Sequence, residues 1–280
     1  MSKKKKARDI EKLKDQFFSN VTHEFRTPLT LILGPVEQLL RNEYDPQTQQ
    51  RLLMIQGNAL QLQKLIDELL DISKIEKLSG VKVRSICADY FMEAPIHSND
   101  TVIVDSSINI LNRLIRNASL MNVKDIVIPC VEQSSLKNER YKNNFINNIK
   151  KITSIAEDTN INICLETDLA PKPFANMIDL IGSKNVTINY DIGNSAALGY
   201  DPVEEFRAYG DKISDLHIKD RLFGKGSVSL GEGNADLSKI FDLLSKYDYQ
   251  GLLIFQAYRD NEGVEIFKEQ LNWFFKNIEL

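Results

Sequence analysis

Five residues able to hold a metal ion or carry a proton stand at the C-terminal ends of successive strand-like runs: Glu132, Glu166, Asp191, His217 and Gln256. Their oxygen and nitrogen donors suit a divalent Mn, Mg, Co or Zn ion better than a thiolate site would. Glu166 is also placed to act as a base, whereas glutamine offers a carbonyl oxygen to a metal but cannot shuttle a proton. A lone histidine on a strand is usually a satisfied structural residue. Several such groups in register at successive strand ends are harder to set aside, because parallel α/β barrels bring those ends to one face.

A second marked stretch, Phe18 to Thr30, contains His23, Glu24, Thr27 and Pro28. It lies on a predicted helix whose apolar stripe runs Ile10, Leu13, Phe17, Val21, Phe25, Leu29, Ile32, Val36 and Leu39. His23 falls off that stripe and faces solvent. Beside it, Glu24 can orient the ring proton, which suits the imidazole for attack on phosphorus. Pro28 removes a helical hydrogen bond and bends the helix about a turn later.

These groups need elements to position them, and the hydrophobic period supplies two kinds. A second helical stripe, Leu52, Ile55, Leu62, Ile66, Leu69, Ile72 and Ile75, follows a break at Asn42 to Pro46, where Pro46 stands in the first helical turn. The pair predicts an antiparallel hairpin, too apolar to stand alone, that forms a four-helix bundle with a second copy. A homodimer follows from that burial. At Lys74 to Cys87 the period changes, with Ser79 and Gly80 at the helix end, and the chain divides into residues 1–78 and 79–280.

Beyond the junction, strands are predicted at Val81 to Cys87, Asp125 to Cys130, Ile161 to Glu166, Val186 to Asp191, Ile213 to Ile218 and Gly251 to Gln256. Helices at Val104 to Leu120, Asn144 to Glu157, Leu237 to Ser245 and Gly263 to Lys276 alternate with them. Such alternation argues for parallel βαβ units.

A hydrophobic fraction of 42% with 26% charged residues provides a core and excludes disorder. The net charge of −4 gives no general attraction to nucleic acid, and Lys3 to Lys6 reads as a solvated tail. No apolar run approaches the roughly 20 residues that span a bilayer, and no secretory signal opens the chain, so a cytoplasmic location without membrane partners is expected. Cys87, Cys130 and Cys164 are too scattered for a disulfide framework or zinc motif and read as reduced core residues.

The stretch around His23, with Leu69 to Glu76, resembles the dimerisation and phosphoacceptor domain of sensor histidine kinases over about Lys12 to Lys77. The resemblance implies that His23 is phosphorylated, that Glu24 is its proton partner and that Thr27 positions a water for dephosphorylation. Nothing after Gly80 resembles the ATP-binding domain of such kinases. Phosphorylation would come from a histidine kinase in trans, with a response regulator as a further partner.

Leu165-Glu166, Tyr190 to Asn194, Leu216 to Asp220 and Leu230 to Gly233 resemble the strand-end motifs of xylose isomerase-like barrels of the sugar-phosphate isomerase and epimerase type. That resemblance covers about Val81 to Leu280 and implies Glu166, Asp191 and His217 as metal ligands, with Gln256 where the commoner pattern has glutamate. Glu132, Lys219, Gly231, Gly233 and Arg259 become candidates for substrate, the last three with Ser229 for a phosphate. By the same comparison Val81 to Cys87 corresponds to the third strand. The expected fold is then a helical hairpin followed by an incomplete TIM-type barrel lacking its first two βα units.

Three functions follow as expectations: a metal-dependent sugar-phosphate isomerase or epimerase of weak or lost activity; a phosphotransfer module using His23; and a recombined or artificial chimera retaining neither activity.

Overall fold

The computed structural model describes residues 32–42, 44–57, 59–60, 79–256 and 264–278, and the chain forms two compact units, Met1–Val83 and Arg84–Leu280. In the first unit, helix occupies 32–40 and 46–57. Pro46 is the first residue of the second helix, and Asp45 caps it by accepting the N–H groups of Gln47 and Thr48, each at 3.1 Å. Ile32, Leu39 and Ile55 of the predicted stripes are exposed in the single chain. His23, Glu24, Thr27 and the second stripe from Leu62 to Ile75 lie outside the described residues.

The second unit is built on a six-stranded parallel sheet. Its strands are β1 (Ser85–Cys87), β2 (Asp125–Cys130), β3 (Asn162–Thr167), β4 (Val186–Asp191), β5 (Ile213–Ile218) and, after a short antiparallel ribbon of β6 (Asp220–Arg221) and β7 (Ser227–Val228), β8 (Leu252–Phe255). Sheet order is β1-β2-β3-β4-β5-β8, so β1 and β8 are the edges among the described residues. The helices are α1 (Tyr90–Glu93), α2 (Thr101–Leu120), α3 (Glu139–Ile149), α4 (Thr153–Thr159), α5 (Pro171–Ile181), α6 (Ile192–Leu198), α7 (Pro202–Tyr209), α8 (Leu237–Lys246) and α9 (Val264–Asn277).

Side chains alternate between the two faces of each strand. One face carries Ile126, Ile128, Ile163, Leu165, Ile188, Leu216 and Ile218, all at most 1% exposed. With Leu111, Ile115, Phe145, Ile149, Phe174 and Phe206 from the helices they form the core.

The other face is polar and curls on itself. The hydroxyl of Ser85 on β1 donates to Asp215 on β5, and Asp125 on β2 accepts from Asn162 at 2.9 Å and from Ser214 at 3.0 Å. The β4–β5 register shifts between Ile188 and Asn189, leaving Ser214 as an extra residue. This bulge brings both Ser214 and Asp215 onto the inner face.

Apart from shifts of one to three residues at other bounds, two predicted elements and one predicted burial change. The first strand begins at Ser85 because its ladder starts opposite Asp125, while Arg84 already accepts the N–H groups of Lys124 and Asp125. The predicted helix from Asn144 to Glu157 is two helices, α3 and α4, joined by a tight turn at Lys150–Ile152 and begun earlier by the cap of Asn138. Cys87 is exposed at the end of β1, whereas Cys130 and Cys164 are buried as expected, and all three are free.

Candidate metal centre

Glu166 sits one residue before the end of β3, Asp191 ends β4, and His217 lies beside Asp191 in the β4–β5 register. The three are buried, and one donor atom from each lies within 4.8 Å of the others. His217 Nδ1 is 3.7 Å from Glu166 Oε2 and 3.9 Å from Asp191 Oδ2. Two hard carboxylate oxygens and an imidazole nitrogen fit a divalent ion of the Mn, Mg, Co or Zn kind.

Neighbouring side chains hold each donor. Asn189 Nδ2 donates to Glu166 Oε2 at 2.8 Å and lies 3.2 Å from His217 Nδ1. His217 Nδ1 is thus the ring nitrogen turned toward Asn189 and both carboxylates. Asn194 Nδ2 donates to Glu166 Oε1 at 2.6 Å, and its own Oδ1 accepts from Arg221 Nη1 at 2.6 Å. The remaining guanidinium nitrogens of Arg221 grip the Lys225 carbonyl at 2.8 and 3.1 Å. Asp191 doubles as the cap of α6, accepting the Asn194 N–H at 2.8 Å. Such outer partners fix the orientation of metal ligands.

Burial, followed by the negative charge of Asp191, pushes the Glu166 carboxyl up to about 7. Burial acts the same way on Asp191, but hydrogen bonding to His217, the Lys219 ammonium and the Asn194 N–H outweigh it and hold that carboxyl below the ordinary range. For His217, burial pulls the imidazole down, but Asp191 and Glu166 win and raise it. The metal-free centre is thus a compact arrangement of partly shared protons, which a divalent cation would displace.

The other predicted residues fare differently. Gln256 stands just past β8, and its Oε1 accepts from Lys219 Nζ at 2.9 Å. Lys219, expected at the substrate, also pairs with Asp191 Oδ2 at 3.3 Å. Glu132 is exposed, with a left-handed backbone (φ 52°), outside the three-residue cluster.

The N–H groups of Gly231 and Gly233, candidates for a phosphate, donate instead to the buried Asp220 carboxylate, each at 2.9 Å. Arg259 lies outside the described residues. Asn189 and Arg221 were not read from the sequence. For Asn189 a signal existed, since it lies two residues before Asp191 and must share its face of β4.

A model of the family described as xylose isomerase-like TIM barrel matches residues 44–277. The chain belongs to the xylose isomerase-like TIM barrel family. The match begins inside the segment that reads as the helical hairpin. The Haemophilus influenzae protein named "Putative L-ribulose-5-phosphate 3-epimerase SgbU" is 25% identical over 197 residues, covering 65% of this chain and 68% of the relative.

The solved structure of an IolI protein with a zinc atom superposes with a TM-score of 0.61 at 17% identity, over 78% of this chain and 87% of that one. Hybrid signal transduction histidine kinase D of Dictyostelium discoideum is 46% identical over 72 residues, 25% of this chain. The present chain spans about 5% of that kinase's length. In this xylose isomerase-like barrel, Glu166, Asp191 and His217 occupy the C-terminal face, where such folds place their chemistry.

Proposed function

We propose that the chain is a metal-dependent sugar isomerase or epimerase whose substrate is a ketose or its phosphate, bound over Glu166, Asp191 and His217. The observation that carries this reading is the convergence of those three buried donors at the ends of β3, β4 and β5. The name of the Haemophilus relative and the zinc in the IolI structure support it. A divalent ion bound there would polarise the substrate carbonyl. Glu166 carries the proton taken from the neighbouring carbon, with both its oxygens oriented by Asn189 and Asn194. Lys219 presents an ammonium group to a substrate oxygen.

The sheet described has six strands against the eight of a closed barrel, and in this reading turnover is weak. The test is to add Mn, Co, Mg or Zn to the metal-free protein and follow thermal stability and the products from a panel of pentuloses and hexuloses, free and phosphorylated. Stabilisation and product should both appear with at least one ion and disappear in Asp191→Ala and His217→Ala. Neither effect with any of the four ions would end the reading.

A second activity is favoured by the 46% identity to a histidine kinase over 72 residues. In this reading the hairpin forms a homodimer and His23 accepts phosphate from a kinase in trans or exchanges it with a response regulator. Exposure of Ile32, Leu39 and Ile55 in the single chain supports the dimer. Incubation with a histidine kinase and labelled ATP should mark the wild type and not His23→Ala, and the particle mass should be twice that of the chain. An unlabelled wild type or a monomer would refute the corresponding half.

A further inference from the structure

Glu205 of α7 is a buried carboxylate, 2% exposed, that the proposed chemistry does not use. Its Oε1 accepts the Tyr209 hydroxyl at 2.7 Å, and its Oε2 accepts two more hydroxyls, from Tyr190 at 2.8 Å and from Ser195. Three hydroxyls thus replace the water that an acid gives up on burial.

The three donors come from different elements. Tyr209 lies on α7 itself, four residues after Glu205. Tyr190 immediately precedes Asp191 on β4, so its side chain leaves the opposite face of the sheet from that metal-centre donor. There its ring meets Phe206 of α7 edge-on, with centroids 5.4 Å apart. Ser195 immediately follows Asn194 on α6. Glu205 therefore holds the chain neighbour of Asp191 and the chain neighbour of Asn194, whose amide binds Glu166. Glu205, Glu166, Asp191 and Asn194 also line one internal cavity of about 20 Å³, with room for about one water, so little slack separates them.

Packing alone does not call for an acid at this position. An apolar side chain of similar volume would fill it without taking a carboxylate out of water. What the acid adds is direction: two hydroxyls on one oxygen fix the end of β4 and the start of α6 against each other. α6 has only seven residues and begins at the Asp191 cap, so a shift of its first turn moves the Asp191 carboxylate and the Asn194 amide together.

Resting on the reading of Glu166, Asp191 and His217 as a metal centre, we propose that Glu205 is a positioning residue for that centre, tying α7 to Tyr190 and Ser195 so that Asp191 and Asn194 stand where a divalent ion needs them.

The three hydroxyls supply their own control. Tyr190→Phe and Ser195→Ala each cut a link from Glu205 to an element of the centre, whereas Tyr209→Phe cuts one that stays within α7. Each removes a single oxygen. Circular dichroism establishes that the variants are folded, the urea midpoint reports stability, and titration of the metal-free full chain with Mn²⁺ reports affinity. All three should lower the midpoint. Tyr190→Phe and Ser195→Ala should also weaken Mn²⁺ binding about tenfold, while Tyr209→Phe leaves it within about twofold of wild type. Glu205→Met, which keeps the bulk and accepts no hydroxyl, should weaken binding at least as much as either; if it does not fold, the hydroxyl variants decide.

Unchanged affinity in folded Tyr190→Phe and Ser195→Ala would overturn the inference and leave the metal centre standing. A loss in Tyr209→Phe equal to theirs would do the same, since general loosening of the fold predicts it. A wild type that binds no Mn²⁺ would remove the metal-centre reading and this inference together.

Discussion

Replacing Glu166 by Gln in the metal-free protein should remove most of a pH dependence of stability that the wild type carries. The Glu166 carboxyl sits at about 7 in the folded state against an ordinary value of 4.5, because burial and Asp191 disfavour its charge. A folded value above the unfolded one means that the contribution is fully present below about 4.5 and is lost as pH rises through about 7. His217, also raised, changes stability in the same direction. Between pH 5 and 8 the wild type should lose roughly 2 to 3 kcal/mol, which for a urea slope of about 2 kcal/mol per molar lowers the midpoint by roughly 1 M.

The single tryptophan, Trp273, lies in α9, so its fluorescence in urea with EDTA reports the barrel. Glu166→Gln should show a much flatter midpoint across pH 5 to 8. Its amide faces the donors of both Asn189 and Asn194, so the whole curve should fall by about 1 kcal/mol without gaining slope. Added Mn²⁺ should remove most of the wild-type slope by replacing the proton. Parallel pH profiles for wild type and variant would refute the reasoning.

Arg221→Met removes the group that holds Asn194 against Glu166, and should weaken Mn²⁺ binding by about tenfold or more while leaving far-UV dichroism unchanged; unaltered affinity would show that Asn194 needs no support. Gly231→Ala forces a side chain onto a backbone with φ 86° and places a carbon 2.2 Å from the Trp273 ring, so the urea midpoint should fall by an amount worth at least about 2 kcal/mol. Asp220→Ala orphans three backbone N–H donors of the same loop and should cost about 2 kcal/mol or more in the same assay.

Much of the barrel was legible because its strands are short apolar runs with a chemical group at the end. Asp125–Cys130, Val186–Asp191 and Ile213–Ile218 have the bounds that the sequence predicts. The convergence of Glu166, Asp191 and His217 follows from strand parity and parallel pairing. The split between α3 and α4 was hidden because the buried positions Phe145, Ile149, Ile152 and Ala156 keep helical spacing through the turn.

The partner of Gln256 was also hidden. Nothing in the sequence pairs a glutamine after the last strand with Lys219, which follows the strand before it in the sheet. Gly231 and Gly233 resembled a phosphate loop for a similar reason. The backbone donors that would cradle an anion are present, but an internal anion, Asp220, already fills that role.

Calorimetric titration of the metal-free protein with Mn²⁺ in two buffers of different ionisation enthalpy tests the central claim most directly. The arrangement of Glu166, Asp191 and His217 predicts one site per chain, proton release on binding, and loss of the site in both His217→Ala and Asp191→Ala. Absence of binding, or binding that survives either substitution unchanged, would contradict it.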